Sequence, residues 1–168
     1  TAIPLKDITP TISGGFMNTF NYKFIDLSFN LSYSFGGYSY DNASYILQDD
    51  GYSVISNKST EQRRRWQKPG DITDVPRFVY GNKKGGNYNS SRAIHSTDHI
   101  RLKSLILGLN APKAWLQKLG IGNARIYFSG TNLLTWAAYD QYDPEMSGVV
   151  GFYTPPLKTY AFGLELKF

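Results

Sequence analysis

The sequence predicts an all-β fold, a set of antiparallel strands from a transmembrane β-barrel with long loops. Three observations lead there. The stretch "FIDLSFNLSYSF" (24–35) puts Ile25, Leu27, Phe29, Leu31, Tyr33 and Phe35 on one parity and Asp26, Ser28, Asn30, Ser32 and Ser34 on the other, the period of a strand with one apolar and one polar face. The connections between such stretches run short, long, short, long, as they do when antiparallel strands send every long loop out at one end. The composition, with 13 Tyr, 10 Phe, 16 Gly and only 2 Met in 168 residues, favours strands and turns over helices.

Five segments carry the strand pattern. Residues 11–20 place Ile12, Phe16 and Phe20 on one parity, and residues 24–36 hold the opening alternation. Between them lies only "NYK". In residues 98–110 the apolar parity begins with Ile100 and Leu102 and then slips by one to Leu105, Leu107 and Leu109, which predicts a β-bulge. Residues 123–134 set Ile126, Phe128 and Leu134 against Arg125, Ser129 and Thr131; residues 157–168 set Tyr160, Phe162, Leu164, Leu166 and Phe168 against small or charged residues. The connection "APKAWLQKLGIG" (111–122) reads as a short helical turn, with Pro112 at its start and Gly120 at its stop. Residues 37–97 and 135–156 are long loops.

The polar parity is mostly Ser, Thr, Gly, Ala and Asn, with isolated charges at Asp26, Arg125 and Glu165, and the apolar parity ends in aromatics. Strands of about ten residues with these two faces and aromatic ends fit a barrel whose apolar side meets lipid and whose polar side meets a wet lumen. On that reading Leu27, Phe29, Leu31, Phe128, Phe162 and Leu164 face lipid. A soluble carbohydrate-binding β-sandwich shares the alternation, and a complete small outer-membrane barrel acting as adhesin or structural protein shares the length. The small barrel needs about eight strands, and five are found.

No run of 18 apolar residues exists, which excludes a membrane-spanning helix, and the absence of Cys excludes disulfides and thiolate metal sites. The opening "TAIPLKDITP" reads as an interior stretch of a longer chain. Net charge is +5, concentrated between Lys58 and Lys103, where 11 Lys/Arg face 4 Asp/Glu. Such a block suits an acidic partner, lipid phosphates or internal ion pairs.

Signs of catalysis are weak. His95 and His99 flank Asp98, but on an extended chain that spacing holds the rings about 13 Å apart, so loop packing is the better reading. Asp140, Asp143 and Glu145 lack the spacing and glycine of a calcium loop. "RRRW" (63–66) joins charge to an aromatic, too little for a nucleic-acid site in a strand-rich chain. No phosphate loop or serine-nucleophile motif is present. No enzyme activity, metal, cofactor or nucleic-acid partner is expected.

Several motifs resemble a known family. "RWQKPGDITDVPRF" (65–78), "IRLKSLILGLNAPKAWLQKLGIGNARIYFSGTNLLTW" (100–136), "YDQYDPE" (139–145) and "KTYAFGLELKF" (158–168) are similar to the C-terminal end of the SusC/RagA TonB-dependent outer-membrane transporters of Bacteroidetes. The resemblance covers nearly the whole chain from Thr9 onward. It implies the last five strands of a barrel of about 22, completed by a missing N-terminal part that holds the plug and contacts TonB. It implies further partners as well: a SusD-like surface lipoprotein, lipid and lipopolysaccharide, and an oligosaccharide or peptide substrate. Loops 37–97 and 135–156 would be extracellular, and Phe168 would serve as the C-terminal assembly signal. Exposed aromatic and polar loop residues stack on sugars and hydrogen-bond to peptides. Tyr80, Tyr88, Arg92, Tyr139 and Tyr142 are therefore the ligand candidates, each of which also reads as a residue packing one loop on another.

Overall fold

The protein is described by a computed structural model over residues 5–82 and 90–168. Its elements run β1 (Ile12–Tyr22), β2 (Ile25–Phe35), β3 (Tyr38–Asp41), α1 (Asn42–Leu47), β4 (Ile94–Ser96), β5 (His99–Asn110), α2 (Lys113–Leu119), β6 (Asn123–Ala137), β7 (Gly148–Val150) and β8 (Thr159–Lys167). Single 3₁₀ turns lie at Thr60–Arg64 and Ser91–Ala93. The chain divides into two compact units.

The first unit comprises Thr11–Phe35, Asp98–Ala138 and Pro155–Phe168. It is a five-stranded sheet of order β1-β2-β5-β6-β8, antiparallel throughout. Its strands occupy the five alternating segments, with β6 running three residues beyond Leu134 because Thr135, Trp136 and Ala137 pair with Arg101, Ile100 and His99. A two-residue turn at Lys23 and Phe24 joins β1 to β2, with Lys23 in the left-handed region at φ 53°. The 111–122 connection forms α2, with Pro112 as N-cap and Gly120 in the left-handed conformation as C-cap. A glycine there closes the last turn without a Cβ penalty.

Register carries the alternation across the whole sheet. Directly opposed residues form continuous rows: Tyr22, Ile25, Leu109, Ile126 and Leu164; then Phe20, Leu27, Leu107, Phe128 and Phe162; then Phe16, Leu31, Leu102 and Leu134. The other face carries rows such as Thr19, Ser28, Ile106, Ser129 and Ala161. The parity slip in β5 is a bulge: Ser104 pairs with Asn30, yet Leu102 pairs with Leu31, so Lys103 is the extra residue. Neither face is covered within this unit. Phe162 is 82% and Leu164 62% exposed, far outside the pattern of a sheet that faces water on its polar side only.

One charged cluster ties four strands together on the polar face: Asp26 of β2, Asn110 of β5, Arg125 of β6 and Glu165 of β8. Arg125 donates from Nε to Asp26 Oδ1 at 3.1 Å and from an Nη to Oδ2 at 2.6 Å, a bidentate pair of the strong, directional kind. Asn110 donates to the same carboxylate at 2.8 Å, and Glu165 accepts from Arg125 at 3.3 Å. Gly108 makes the room. A Cβ there would stand 2.4 Å from both Asp26 carboxylate oxygens and 2.6 Å from Arg125 Nε.

The second unit comprises the described residues of Thr1–Pro10, Gly36–Thr97 and Tyr139–Thr154. Although these stretches read as loops, they contain a small sheet of order β4-β3-β7, antiparallel between β3 and β4 and parallel between β3 and β7. Val75, Ala93 and Val150 are buried, beside buried Ser39, Asp41, Asp49, Asp50, Gln62 and Thr97. Polar groups make up most of this interior, and they are held by specific partners: Asp49 accepts from the Gly51 backbone N–H at 2.8 Å and is ion-paired with Lys58, and Gln62 donates to the Asp49 carbonyl at 2.9 Å.

Gly108→Ala should lower stability by about 1–3 kcal/mol, because the new methyl displaces the Asp26–Arg125 pair. Gly15→Ala, whose Cβ would meet only the Leu31 carbonyl at 3.4 Å, is the control and should change stability by less than about 0.5 kcal/mol. The urea midpoint of the full-length protein in detergent reads both.

Candidate functional site

The loop unit builds its site from short local motifs. In "RWQKPGDITDVPRF" the turn Lys68–Asp71 closes with an Asp71 N–H to Lys68 carbonyl bond of 3.1 Å, with Gly70 at φ 98°, the geometry that needs glycine at the third turn position after proline. Asp71 accepts from the backbone N–H groups of Gln67 and Lys68 at 2.9 and 3.0 Å, and Arg77 lies over the Trp66 ring at 5.9 Å. This fixed turn brings Trp66 N–H to the carbonyl of buried Val75 at 2.9 Å.

Asp41 is the hub of the neighbouring region. It ends β3 and caps α1: its carboxylate accepts from the Ser44 N–H at 2.9 Å and the Ser44 hydroxyl at 2.6 Å, the usual way an N-cap satisfies orphan helix donors. Its Oδ2 also accepts from the Tyr139 hydroxyl at 2.9 Å. The Tyr139 ring stacks flat on His95, centroids 3.8 Å apart and planes 3° apart, and packs at a tilt against Tyr142, 5.1 Å away. Tyr142 in turn hydrogen-bonds to Ser39. Residues nearly a hundred positions apart in the chain thus meet through one buried carboxylate, 3% exposed.

Beside this cluster is a cavity of about 400 Å³, whose wall includes Asp41, Arg64, Arg92, His95, Tyr139 and Tyr142. Arg92 is held by the Gln48 carbonyl at 3.0 Å and the Asp74 carbonyl at 3.5 Å. Burial lowers the pKa of His95, so its imidazole favours the neutral form. Burial also raises the Tyr139 pKa, to about 12, with the Asp41 carboxylate adding to the shift, and it raises that of Tyr142. The wall combines aromatic faces, the guanidinium groups of Arg64 and Arg92 and the carboxylates of Asp41, Glu61 and Asp74, a set suited to binding a polar ligand. Among the described residues no group of three or more His, Asp or Glu is placed to hold a metal ion.

No family model matches the chain. Two curated relatives come from Formosa agariphila. TonB-dependent receptor P3 is 31% identical over 177 residues, spanning 98% of this chain and 17% of the relative. TonB-dependent receptor P26 is 32% identical over 149 residues, spanning 87% and 14%. Among solved structures, the RagAB peptide transporter matches with a TM-score of 0.83 at 29% identity, over 97% of this chain and 18% of the matched one. The RagAB peptide importer in its "open-open" state matches with a TM-score of 0.81 at 28% identity. The chain is a C-terminal segment of a SusC/RagA-like TonB-dependent receptor. It spans about a sixth of the length of the curated relatives it matches.

Of the five ligand candidates in this receptor segment, the structure brings Arg92, Tyr139 and Tyr142 to one cavity wall. Tyr80 is not on that wall and is 80% exposed, and Tyr88 lies outside the described residues. Tyr139 and Tyr142 also do what the plainer reading asks of them, since each packs one loop against another. Asp41 and Ser39 went unnoticed in the sequence, although "DNAS" (41–44) carries the Asp–x–x–Ser pattern of a helix cap. His95 serves as a stacking partner for Tyr139, in line with its reading as a loop-packing residue.

Because the Tyr139 pKa is raised above its unfolded value, the contribution it makes is complete below about pH 10 and is lost as pH rises toward 12. Hydrogen exchange of the 38–48 backbone in the full-length receptor should therefore accelerate across that window in wild type. Tyr139→Phe should show a smaller alkaline step, the remainder coming from Tyr142, whose pKa is also raised by burial, and should lose about 1–2 kcal/mol of local protection at neutral pH. His95 acts in the opposite direction: its lowered pKa predicts a loop unit that weakens as pH falls below about 6.5.

Proposed function

We propose that this segment forms part of the wall and external mouth of an outer-membrane β-barrel that imports oligosaccharides or peptides in a TonB-dependent way. The observation that carries the reading is the unbroken apolar rows on one face of a five-stranded sheet whose β1 and β8 edges are each paired on one side only. An apolar sheet face of this extent suits lipid. Edges left open in lipid would strand N–H and C=O groups at several kcal/mol each, so the barrel is completed by polypeptide outside these residues. Similarity to TonB-dependent receptors and to a peptide importer supports the same reading.

In this arrangement Leu27, Phe29, Leu31, Phe128, Phe162 and Leu164 face lipid, and the row of Thr19, Ser28, Ser129 and Ala161 faces the lumen. The connections 36–97 and 138–158 leave the same end of the sheet, since β2 and β6 run parallel to each other in the strand order. That end is extracellular, and the short turn at Lys23 and α2 are periplasmic. A SusD-like surface lipoprotein covers the external mouth, TonB acts on the absent N-terminal region, and lipopolysaccharide borders the outer strand ends. Phe168 is 88% exposed just beyond β8. The segment performs no catalysis, in keeping with relatives that are receptors and importers by name.

Single-cysteine labelling with a membrane-impermeant reagent tests the arrangement in the full-length receptor. Position 161, in the polar row opposite Ser129, should label through the lumen and position 162 should not; the inverse pattern sinks the barrel. A cysteine at Ile72, fully exposed in the loop unit, should label on intact cells, and labelling only after outer-membrane rupture would reverse the topology. Phe162→Arg should destabilise the barrel by about 2–4 kcal/mol if the residue lies near the midplane.

A further inference from the structure

We infer that the loop-unit cavity is a carboxylate-binding subsite in which Arg92 receives the acid and the Tyr139–His95 stack and Tyr142 border the rest of the ligand. The inference rests on the reading of this segment as the mouth of an importer. Two guanidinium groups lie on the cavity wall, and their surroundings differ. Arg64 is ion-paired with Glu61 and lies 3.9 Å from the Asp74 carboxylate. Arg92 has no carboxylate within ion-pairing distance among the described residues; its two protein partners are the backbone carbonyls of Gln48 and Asp74.

Those two carbonyls position the group without neutralising it. A guanidinium carries five N–H donors in a planar fork, and here two are spent on neutral acceptors. The backbone beneath is also fixed, because the Ser90 hydroxyl accepts from the Arg92 N–H at 3.2 Å at the start of the Ser91–Ala93 turn. A partly buried, pre-oriented fork with a free charge recognises a planar anion such as a carboxylate, which accepts two parallel bonds. Three carboxylates share the wall, and each is turned to another group: Asp41 is engaged by Ser44 and Tyr139, and Glu61 and Asp74 face Arg64. The acid has two sources among the proposed substrates, a uronate ring of an oligosaccharide or the C-terminus of a peptide.

Calorimetry on the full-length receptor, purified in detergent with its lipoprotein partner, tests this with two probe pairs: trigalacturonate against its methyl ester, and tetraalanine against its C-terminal amide. At least one free acid should bind about tenfold or more tightly than its neutral counterpart, the scale of one charge-assisted bidentate contact. Arg92→Gln should abolish that difference, Arg92→Lys should keep part of it, and Tyr80→Ala should leave it intact. The pair showing the difference identifies the source of the acid. Equal binding of acid and neutral forms, no binding of either acid, or a difference that survives Arg92→Gln would each overturn the inference. The barrel reading is judged apart, by labelling at positions 161, 162 and 72. A normal labelling pattern without acid preference sinks this subsite alone.

Discussion

Register is the constraint on which the sheet depends. With a side-chain period of two, a slip of one residue sends every later side chain of a strand to the other face. β5 contains such a slip in its sequence, and the fold absorbs it at Lys103, where the residue drops out of pairing with β2. The neighbouring strand answers in kind. Between Thr131 and Leu134 β6 holds two residues opposite Lys103, and Asn132 takes a positive φ of 52°. Because β6 adds two residues, its own parity is kept, and Leu134 and Trp136 remain in the apolar rows with Leu102 and Ile100. Were Lys103 paired in regular register, either Ile100 and Leu102 or Leu105, Leu107 and Leu109 would point among the serines and threonines.

The glycines of the polar face follow from the same rows. Gly108 stands opposite Asp26, and Gly163 stands opposite Tyr127, whose ring occupies the space a Cβ would need, with Cζ 2.2 Å from that position. Large groups and absent side chains alternate along one row of directly opposed residues. This arrangement lets the Asp26–Arg125 pair and the Tyr127 ring lie flat on the sheet, and the Arg125 guanidinium sits 5.2 Å from the Tyr127 ring centre. The covering of a strand glycine by an aromatic ring on the next strand is a known means of offsetting its missing side chain.

The five strands and the bulge were legible because periodicity reports them directly, without any knowledge of partners. The loop unit was not legible in that way. Its interior is built around Asp41, Asp49, Asp50 and Gln62, residue types that ordinarily signal solvent, and its sheet uses strands of three and four residues, too short to show alternation. The pairing of β3 with β7 joins residues more than a hundred positions apart. Arg92, Tyr139 and Tyr142 could be singled out by chemical type alone, but Tyr80 has the same type and stands away from them. What separates these residues is the Asp41 carboxylate, visible in sequence only as a helix cap.

A polar interior also explains how a site can exist in segments with so few buried apolar side chains. Val75, Ala93 and Val150 supply little hydrophobic stabilisation, so shape is fixed by directional bonds to charged groups, which contribute more per contact than neutral ones. Such a scaffold is specific, since each bond has one geometry. It is also sensitive, since removing one partner leaves a buried charge short of a donor. Among the described residues, one Asp50 oxygen and the Gln62 amide oxygen already have no hydrogen-bond partner. The loop unit therefore holds its Tyr139–His95 stack and its Arg92 fork through a few long-range polar contacts. Those contacts, more than any apolar core, set how firmly the cavity is preorganised for a ligand.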